Sequence, residues 1–375
     1  MYSLLSLVGI ALIIMYLSNG EIDFIYLFKV PLVGIFIILV IFHIKNRLEL
    51  NLINKLFIYF GLISVIVGTI GGTLITKAAL THLYMIAISI MGCSFGYSMA
   101  AKYDANMKRV VRTVMYFIFI TNSLILFTYY YFHYVTDSIA YFGFDSILPL
   151  VSALFLADKK YFWFVIAVIL VFLSGKRAPL VSMIMPISLI YLKSLISPSI
   201  KKFKINLGIA IFIIISVTCL LSQTELVKRW LLFASVDITD FESIYAATSG
   251  RSAELIGLWN KLSNNPVQLL IGSGLGGHFT IYAEFKGDLI SYDQHYLHLA
   301  VATYILIFGV PFTLFLLGSI AYVFWSNRSN FQSFFYLGML ITFIGSLFGA
   351  GLIVDPLFWI FLGANQYYMK KPVCY

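Results

Sequence analysis

Apolar runs long enough to cross a bilayer recur from residue 2 to residue 368, and one long polar stretch, about Ser222 to Tyr292, separates them into two groups. A membrane-crossing helix needs roughly 20 apolar residues. Composition agrees with that reading. Hydrophobic residues make up 61% of the chain, aromatic residues 17% and charged residues only 11%, whereas a soluble domain carries about 25% charged residues. The expected fold class is all-α: a polytopic membrane protein with about 12 transmembrane helices and one large, partly helical loop between spans 9 and 10.

The spans fall near residues 2–18, 24–43, 54–75, 79–99, 111–132, 139–157, 161–174, 179–193, 206–222, 296–324, 332–349 and 352–368. This divides the chain into residues 1–222 with nine spans, the loop 223–295, and residues 296–375 with three spans and a short tail. The opening run lacks a basic leader and a small-x-small cleavage site, so it reads as a retained first span rather than a signal peptide. No internal repeat is evident. Cys93, Cys219 and Cys374 have neither disulfide nor metal spacing.

The basic residues orient the spans. Lys45, Arg47 and Lys55, the group Lys102 to Arg112, the pair Lys159 and Lys160, the group Lys193 to Lys204, Arg328, and Lys370 with Lys371 fall in loops assigned to the cytoplasm. On the other side the short loops carry Lys77 and the pair Lys176–Arg177. The positive-inside rule applies to short loops, and long ones translocate largely regardless of charge. The expectation is a multi-pass inner-membrane protein with both termini cytoplasmic and the long loop periplasmic. The net charge of +9 follows from this asymmetry and does not call for nucleic acid.

Two basic motifs stand out against that background. SGKRAP at Ser174–Pro179 sits between the seventh and eighth spans and breaks the inside rule. TSGR at Thr248–Arg251 opens a run, SAELIGLWNKLSNNP, that puts Leu255, Leu258, Trp259 and Leu262 at helical spacing on one face. Ser249 is placed to cap that helix and Pro266 lies beyond its end. With TELVKRWLLF before it, this helix either lies on the bilayer surface or caps the membrane domain. GSGLGG at Gly272–Gly277 has no strand–helix phosphate-loop context and reads as a flexible turn.

Taken in order, FLSGKRAPLVSM, SGRSAELIGLWNKLSNNPVQLLIGSGLGGH and DQHYLHLAVATYILIFGVP around one outer loop resemble the bacterial O-antigen ligase/polymerase superfamily. Residue-level matching covers about 172–180 and 248–310. The resemblance implies a metal-independent glycosyltransferase that uses polyprenyl-linked sugars. It places Arg177, with Lys176 beside it, and Arg251 on a lipid-linked diphosphate. It gives Gly250, Asn265, Pro266, Gly272 and Gly274 the shaping of the loop. It puts a polar residue near the sugar acceptor before the Tyr-Leu pair. Ligases have histidine there; this chain has Asp293, with histidine displaced to His295. A glycine usual about eleven residues on is Tyr304, with Gly309 nearest. These departures favour polymerase over ligase.

The chemistry fits those residue types. Arginine offers a fixed charge and a planar fork to phosphate oxygens, which stabilises charge on a departing diphosphate. The attacking hydroxyl needs a base, for which Asp293 and His295 are candidates. The scheme uses no cofactor, nucleotide or metal. The expected function is an O-antigen or surface-polysaccharide polymerase. Its substrate would be undecaprenyl-diphosphate-linked glycan in membrane lipid, and a chain-length regulator would be its protein partner. The alternatives are an O-antigen ligase with lipid A–core as acceptor and, from another class, a lipid-linked oligosaccharide flippase. For Arg177 the plain alternative is an interfacial anchor. Lys29 and Asp355 lie in or beside spans, where ionisable residues need a reason, and Asp145 sits in the outer half of the sixth.

Overall fold

The computed structural model describes residues 37–48, 50–136, 147–173, 181–184, 243–245, 251–285, 288–295, 297, 299–330, 333–347 and 356–370. These residues are mostly helical. The helices that position the site are α1 (Leu52–Ile70), α2 (Lys77–Thr136), α3 (Ile147–Ala157), α4 (Tyr161–Leu173), α5 (Arg251–Ser263) and α6 (Pro266–Ile271). A hairpin follows, β1 (Phe279–Phe285) and β2 (Asp288–Gln294), and then α7 (Ala300–Ser326), α8 (Phe334–Leu347) and α9 (Pro356–Lys370). Among the described residues, Leu52–Ile70, Lys77–Lys102 and Ala300–Ser326 are helices long and apolar enough to cross a membrane. The spans expected near 2–18 and 206–222, and most of those near 24–43 and 179–193, lie outside the described residues.

Three features depart from the sequence expectation. The spans expected separately at 79–99 and 111–132 share the single helix α2 of 60 residues, about 90 Å at 1.5 Å per residue. No glycine or proline occurs between Tyr97 and Thr136, so nothing in the backbone chemistry stops the helix where the charges suggest a loop. The second departure is the hairpin, which the all-α expectation missed. Its strands pair antiparallel, with Phe279 opposite Gln294 and Thr280 opposite Asp293. Phe279 and Ile281 alternate inward to a core with Leu258, Leu262, Leu297 and Leu306, the period-2 pattern of a half-buried strand.

The third departure is the face of α5. Leu258 and Leu262 are buried as expected, but Leu255 and Trp259 are exposed, and Ala253 and Gly257 take their place in the core. The cause is close approach: a Cβ on Gly257 would lie 2.7 Å from the Thr280 carbonyl oxygen and against the Phe279 ring. The helix therefore sets Gly257 against the hairpin, keeps Ala253, Glu254, Leu258 and Leu262 buried, and turns Leu255 and Trp259 out.

The main core sits where α1, α2, α7 and α9 meet. Phe57 is ringed by Tyr304, Phe308, Phe312 and Trp359, with ring centroids 5.3–6.1 Å apart. Such edge-on aromatic packing adds to the area each ring buries. Between α2 and α9 the backbones themselves touch: a Cβ on Gly96 would strike the Ile360 carbonyl, and one on Gly363 the Cys93 carbonyl. With Gly92 one turn earlier, this is the small-residue spacing that lets apolar helices pack closely. Two buried asparagines tie the remaining ends together, Asn327 donating to the Asn365 carbonyl (3.0 Å) and Asn365 to the Phe335 carbonyl (2.8 Å). At the turn between α3 and α4, Asp158 pairs with Arg112 at 2.7 Å, so Arg112 of α2 meets the neighbourhood of Lys159 and Lys160.

Candidate functional site

The segment from Arg251 to His295 is anchored by a break in α7. Gly309 has φ 84° and ψ 174°, and Pro311 follows two residues on. Proline has no N–H, so the Ile307 carbonyl has no partner within its helix. That carbonyl instead accepts from the Gly274 amide (3.2 Å) and from the Ser64 hydroxyl of α1 (3.2 Å). The Leu306 carbonyl accepts from the Ser273 amide at 2.6 Å. Kink and loop are complementary: the break exposes carbonyls, and the loop brings amides to them.

GSGLGG is thus a buried wedge rather than a flexible turn; all six of its residues are buried. The Leu275 amide bonds to the Ser64 carbonyl (3.0 Å), and its carbonyl accepts from the Thr73 hydroxyl (2.6 Å). Gly274, at φ 75°, is required twice over, because an added Cβ would also lie 2.5 Å from the Gly68 nitrogen. Upstream, Asn265 caps α6 through the Gln268 amide (3.4 Å), with Pro266 in the first turn. Gly272 ends that helix by returning its amide to the Gln268 carbonyl (2.8 Å).

His82, fully buried on α2, joins this wedge to the residue that follows β2. Its Nδ1 accepts from the Gly276 amide (3.1 Å), so the proton sits on Nε2, which donates to the His295 carbonyl (2.6 Å). The His82 and His295 rings are 6.1 Å apart between centroids. The His295 imidazole is held below its usual pKa, first by burial and then by the Lys77 ammonium. Both effects disfavour the cationic form, leaving a neutral histidine able to accept a proton.

Asp293 is placed differently. It is exposed on β2, and its carboxylate accepts from the hydroxyl of Thr280, its cross-strand partner, at 2.8 Å. Lys261 of α5 donates to the His278 carbonyl. Burial pulls the Lys261 ammonium below its usual value while the Asp293 carboxylate pulls it back. Arg251 is the first residue of α5 and half-buried. Tyr304 is buried in the aromatic core beside Phe57.

Of the residues singled out in the sequence, the structure brings Asp293, His295, Asn265, Pro266, Gly272 and Gly274 into one assembly with Arg251 on the adjoining helix. Lys176, Arg177 and Gly250 lie outside the described residues, as do Lys29, Asp145 and Asp355. Sequence reasoning missed His82, Lys77 and Lys261 as neighbours of the site. For Lys77 a signal existed, since the charge pattern of the sequence sets it apart in a group of short loops otherwise poor in cations. Among the described residues, no three His, Cys, Asp or Glu side chains group so as to hold a metal ion. No protein-family model, curated protein or solved structure matches the chain.

Proposed function

We propose that this chain is a surface-polysaccharide polymerase of the bacterial inner membrane. It joins undecaprenyl-diphosphate-linked repeat units on the periplasmic side by metal-independent, inverting glycosyl transfer. The observation that carries the reading is the docking of the outer-loop segment, with Arg251, Lys261, Asp293 and His295, onto the Lys77 end of apolar helices. Cations and proton acceptors then stand where a lipid diphosphate meets the membrane surface.

In this scheme the acceptor hydroxyl attacks the anomeric carbon as its proton passes to the base. A new C–O bond forms, the bond to the lipid diphosphate breaks opposite it, and the configuration inverts. Arg251, together with Arg177 and Lys176, stabilises the charge gathering on the departing diphosphate. The test is chain extension in cells carrying Arg177→Ala or Arg251→Ala, with membrane insertion checked in parallel. Both variants should lose extension, and lysine should restore it only partly, because a point charge lacks the bidentate fork. Normal extension in both alanine variants would refute the diphosphate contact.

One observation favours a second reading. Asp293 is engaged across the hairpin by Thr280, whereas the His295 ring is biased to its neutral form, first by burial and then by the Lys77 charge. A histidine base is the ligase pattern, in which lipid A–core is the acceptor. Supplying that acceptor separates the two activities, and a lipid-linked oligosaccharide flippase would consume neither substrate.

A further inference from the structure

The outward side of α5 and α6 carries six large apolar side chains, in two groups separated by the exposed Asn260, Ser263, Asn264 and Asn265. Leu255, Ile256 and Trp259 are 43%, 46% and 64% exposed, and Val267, Leu270 and Ile271 are 60%, 59% and 39% exposed. A patch of this kind on a folded chain marks a surface that something covers. Its depth says what. The Leu270 carbonyl lies against Gly309 of α7, where an added Cβ would strike it. Gly309 is nine residues from Ala300, about 13 Å along the helix. At about 40 Å, the 27 residues of α7 exceed a hydrocarbon core of about 30 Å. Centred in that core, α7 places Gly309 about 8 Å below its edge.

A second helix gives the same level independently. The 19 residues of α1 span about 28 Å, close to the core thickness. Ser64, whose carbonyl holds the Leu275 amide, is six residues from the Ile70 end, about 9 Å down. Irregular backbone at that depth is tolerated only where protein satisfies its polar groups. The Ser273, Gly274 and Leu275 amides meet that condition on helix carbonyls. The open side of α6 stands at the same level, on the helix that also exposes Leu314 and Phe315.

We infer that α5, α6 and the GSGLGG wedge form a re-entrant element whose apolar side chains Leu255, Ile256, Trp259, Val267, Leu270 and Ile271 are embedded in the acyl chains of the bilayer leaflet at the Lys77 end, with Asn260, Ser263, Asn264 and Asn265 turned to the head groups. The inference rests on α1 and α7 spanning the membrane and is independent of the glycosyl-transfer chemistry. The element ties the segment that begins at Arg251 into one leaflet, so the loop moves with the membrane surface rather than above it.

The test uses the full chain with Cys93, Cys219 and Cys374 replaced by alanine and single nitroxide-labelled cysteines at Trp259, Leu270, Leu314 or Lys159. The protein is reconstituted in phosphatidylcholine–phosphatidylglycerol vesicles. Labels at 259 and 270 should match 314, with collisions with oxygen several-fold higher, and with a water-soluble nickel chelate several-fold lower, than at 159. High nickel collision at 259 and 270 with 314 still lipid-like would overturn the embedding alone. Low collision with both reagents would also overturn it, showing the face covered by protein, from this chain or a second copy. Nickel access at 314 would overturn the spanning helices and the embedding together. Should the alanine background fail to fold, the native cysteines are kept and the chain is compared with Trp259→Phe in vesicles of brominated lipid. Loss of a lipid-quenched fluorescence component in the variant is then expected, and an unchanged quenching profile would refute the inference.

Discussion

Replacing Gly309 with alanine tests the joint between α7 and the buried wedge. At φ 84° and ψ 174° the backbone occupies a region that only glycine enters freely, and holding another residue there costs about 1–3 kcal/mol. The new Cβ also meets the Leu270 carbonyl, and the Gly272 nitrogen at 2.9 Å, so the loop must withdraw. Withdrawal loses the bonds from Ser273 to Leu306 and from Gly274 to Ile307, each worth about 0.5–1.5 kcal/mol net. The sum is about 2–6 kcal/mol. Gly318→Ala is the control. It lies in the same helix with nothing within 4 Å of an added Cβ, and alanine should gain up to about 1 kcal/mol there from helix propensity. Equilibrium unfolding of the purified full chain in mixed micelles reads both variants. A Gly309→Ala variant within about 1 kcal/mol of the parent would refute the account of the kink, because the strain alone reaches that size.

Three further outcomes are expected. If His295 is the base, His295→Gln lowers turnover by about 10²-fold or more while Asp293→Asn has the smaller effect; the reverse order assigns the proton to Asp293. Because burial and Lys77 hold the His295 value down, its neutral form survives as pH falls past the usual 6.5 or so. Activity should therefore decline at lower pH than for a free imidazole, and Lys77→Gln should move that decline upward. Gly96→Leu, set against the Ile360 carbonyl, should destabilise the α2–α9 contact by about 1–3 kcal/mol, measured as a lowered Tm in detergent; an unchanged Tm would contradict the close helix approach.

The sequence made the apolar helices legible because length and hydropathy alone define them. α1, α4, α7 and α8 lie within a few residues of the expected positions. Side-chain period revealed only part of the buried side of α5, Leu258 and Leu262 but not Ala253 and Gly257. The leucines repeat at helical spacing, but Gly257 is where the hairpin backbone comes closest, so the small residues go inward. The hairpin was readable in principle from Phe279, Ile281 and the Lys286–Gly287 pair between its strands. The charged stretch from Lys102 to Arg112 suggested a loop, yet with no breaker present the backbone continues as helix.

At the candidate site, Asp293 and His295 were visible as polar residues at a re-entry point, but not the asymmetry between them. That asymmetry arises from partners far away in sequence, Thr280 for Asp293, and His82 and Lys77 for His295. GSGLGG looked flexible because glycine runs usually are. Its burial follows from Pro311, whose missing N–H leaves a carbonyl for the loop to meet. That pairing joins residues more than thirty positions apart, and no local pattern announces it.

The most direct measurement is reconstitution of the purified full chain in proteoliposomes with the proposed lipid-linked substrate as the only glycan. Undecaprenyl-diphosphate-linked repeat units are supplied without nucleotide, and products are resolved by size. The account predicts a ladder of lengthened glycans, with one undecaprenyl diphosphate released per unit added and both lost in Arg251→Ala. Unchanged repeat units with no diphosphate released, by protein shown to be folded, would contradict it.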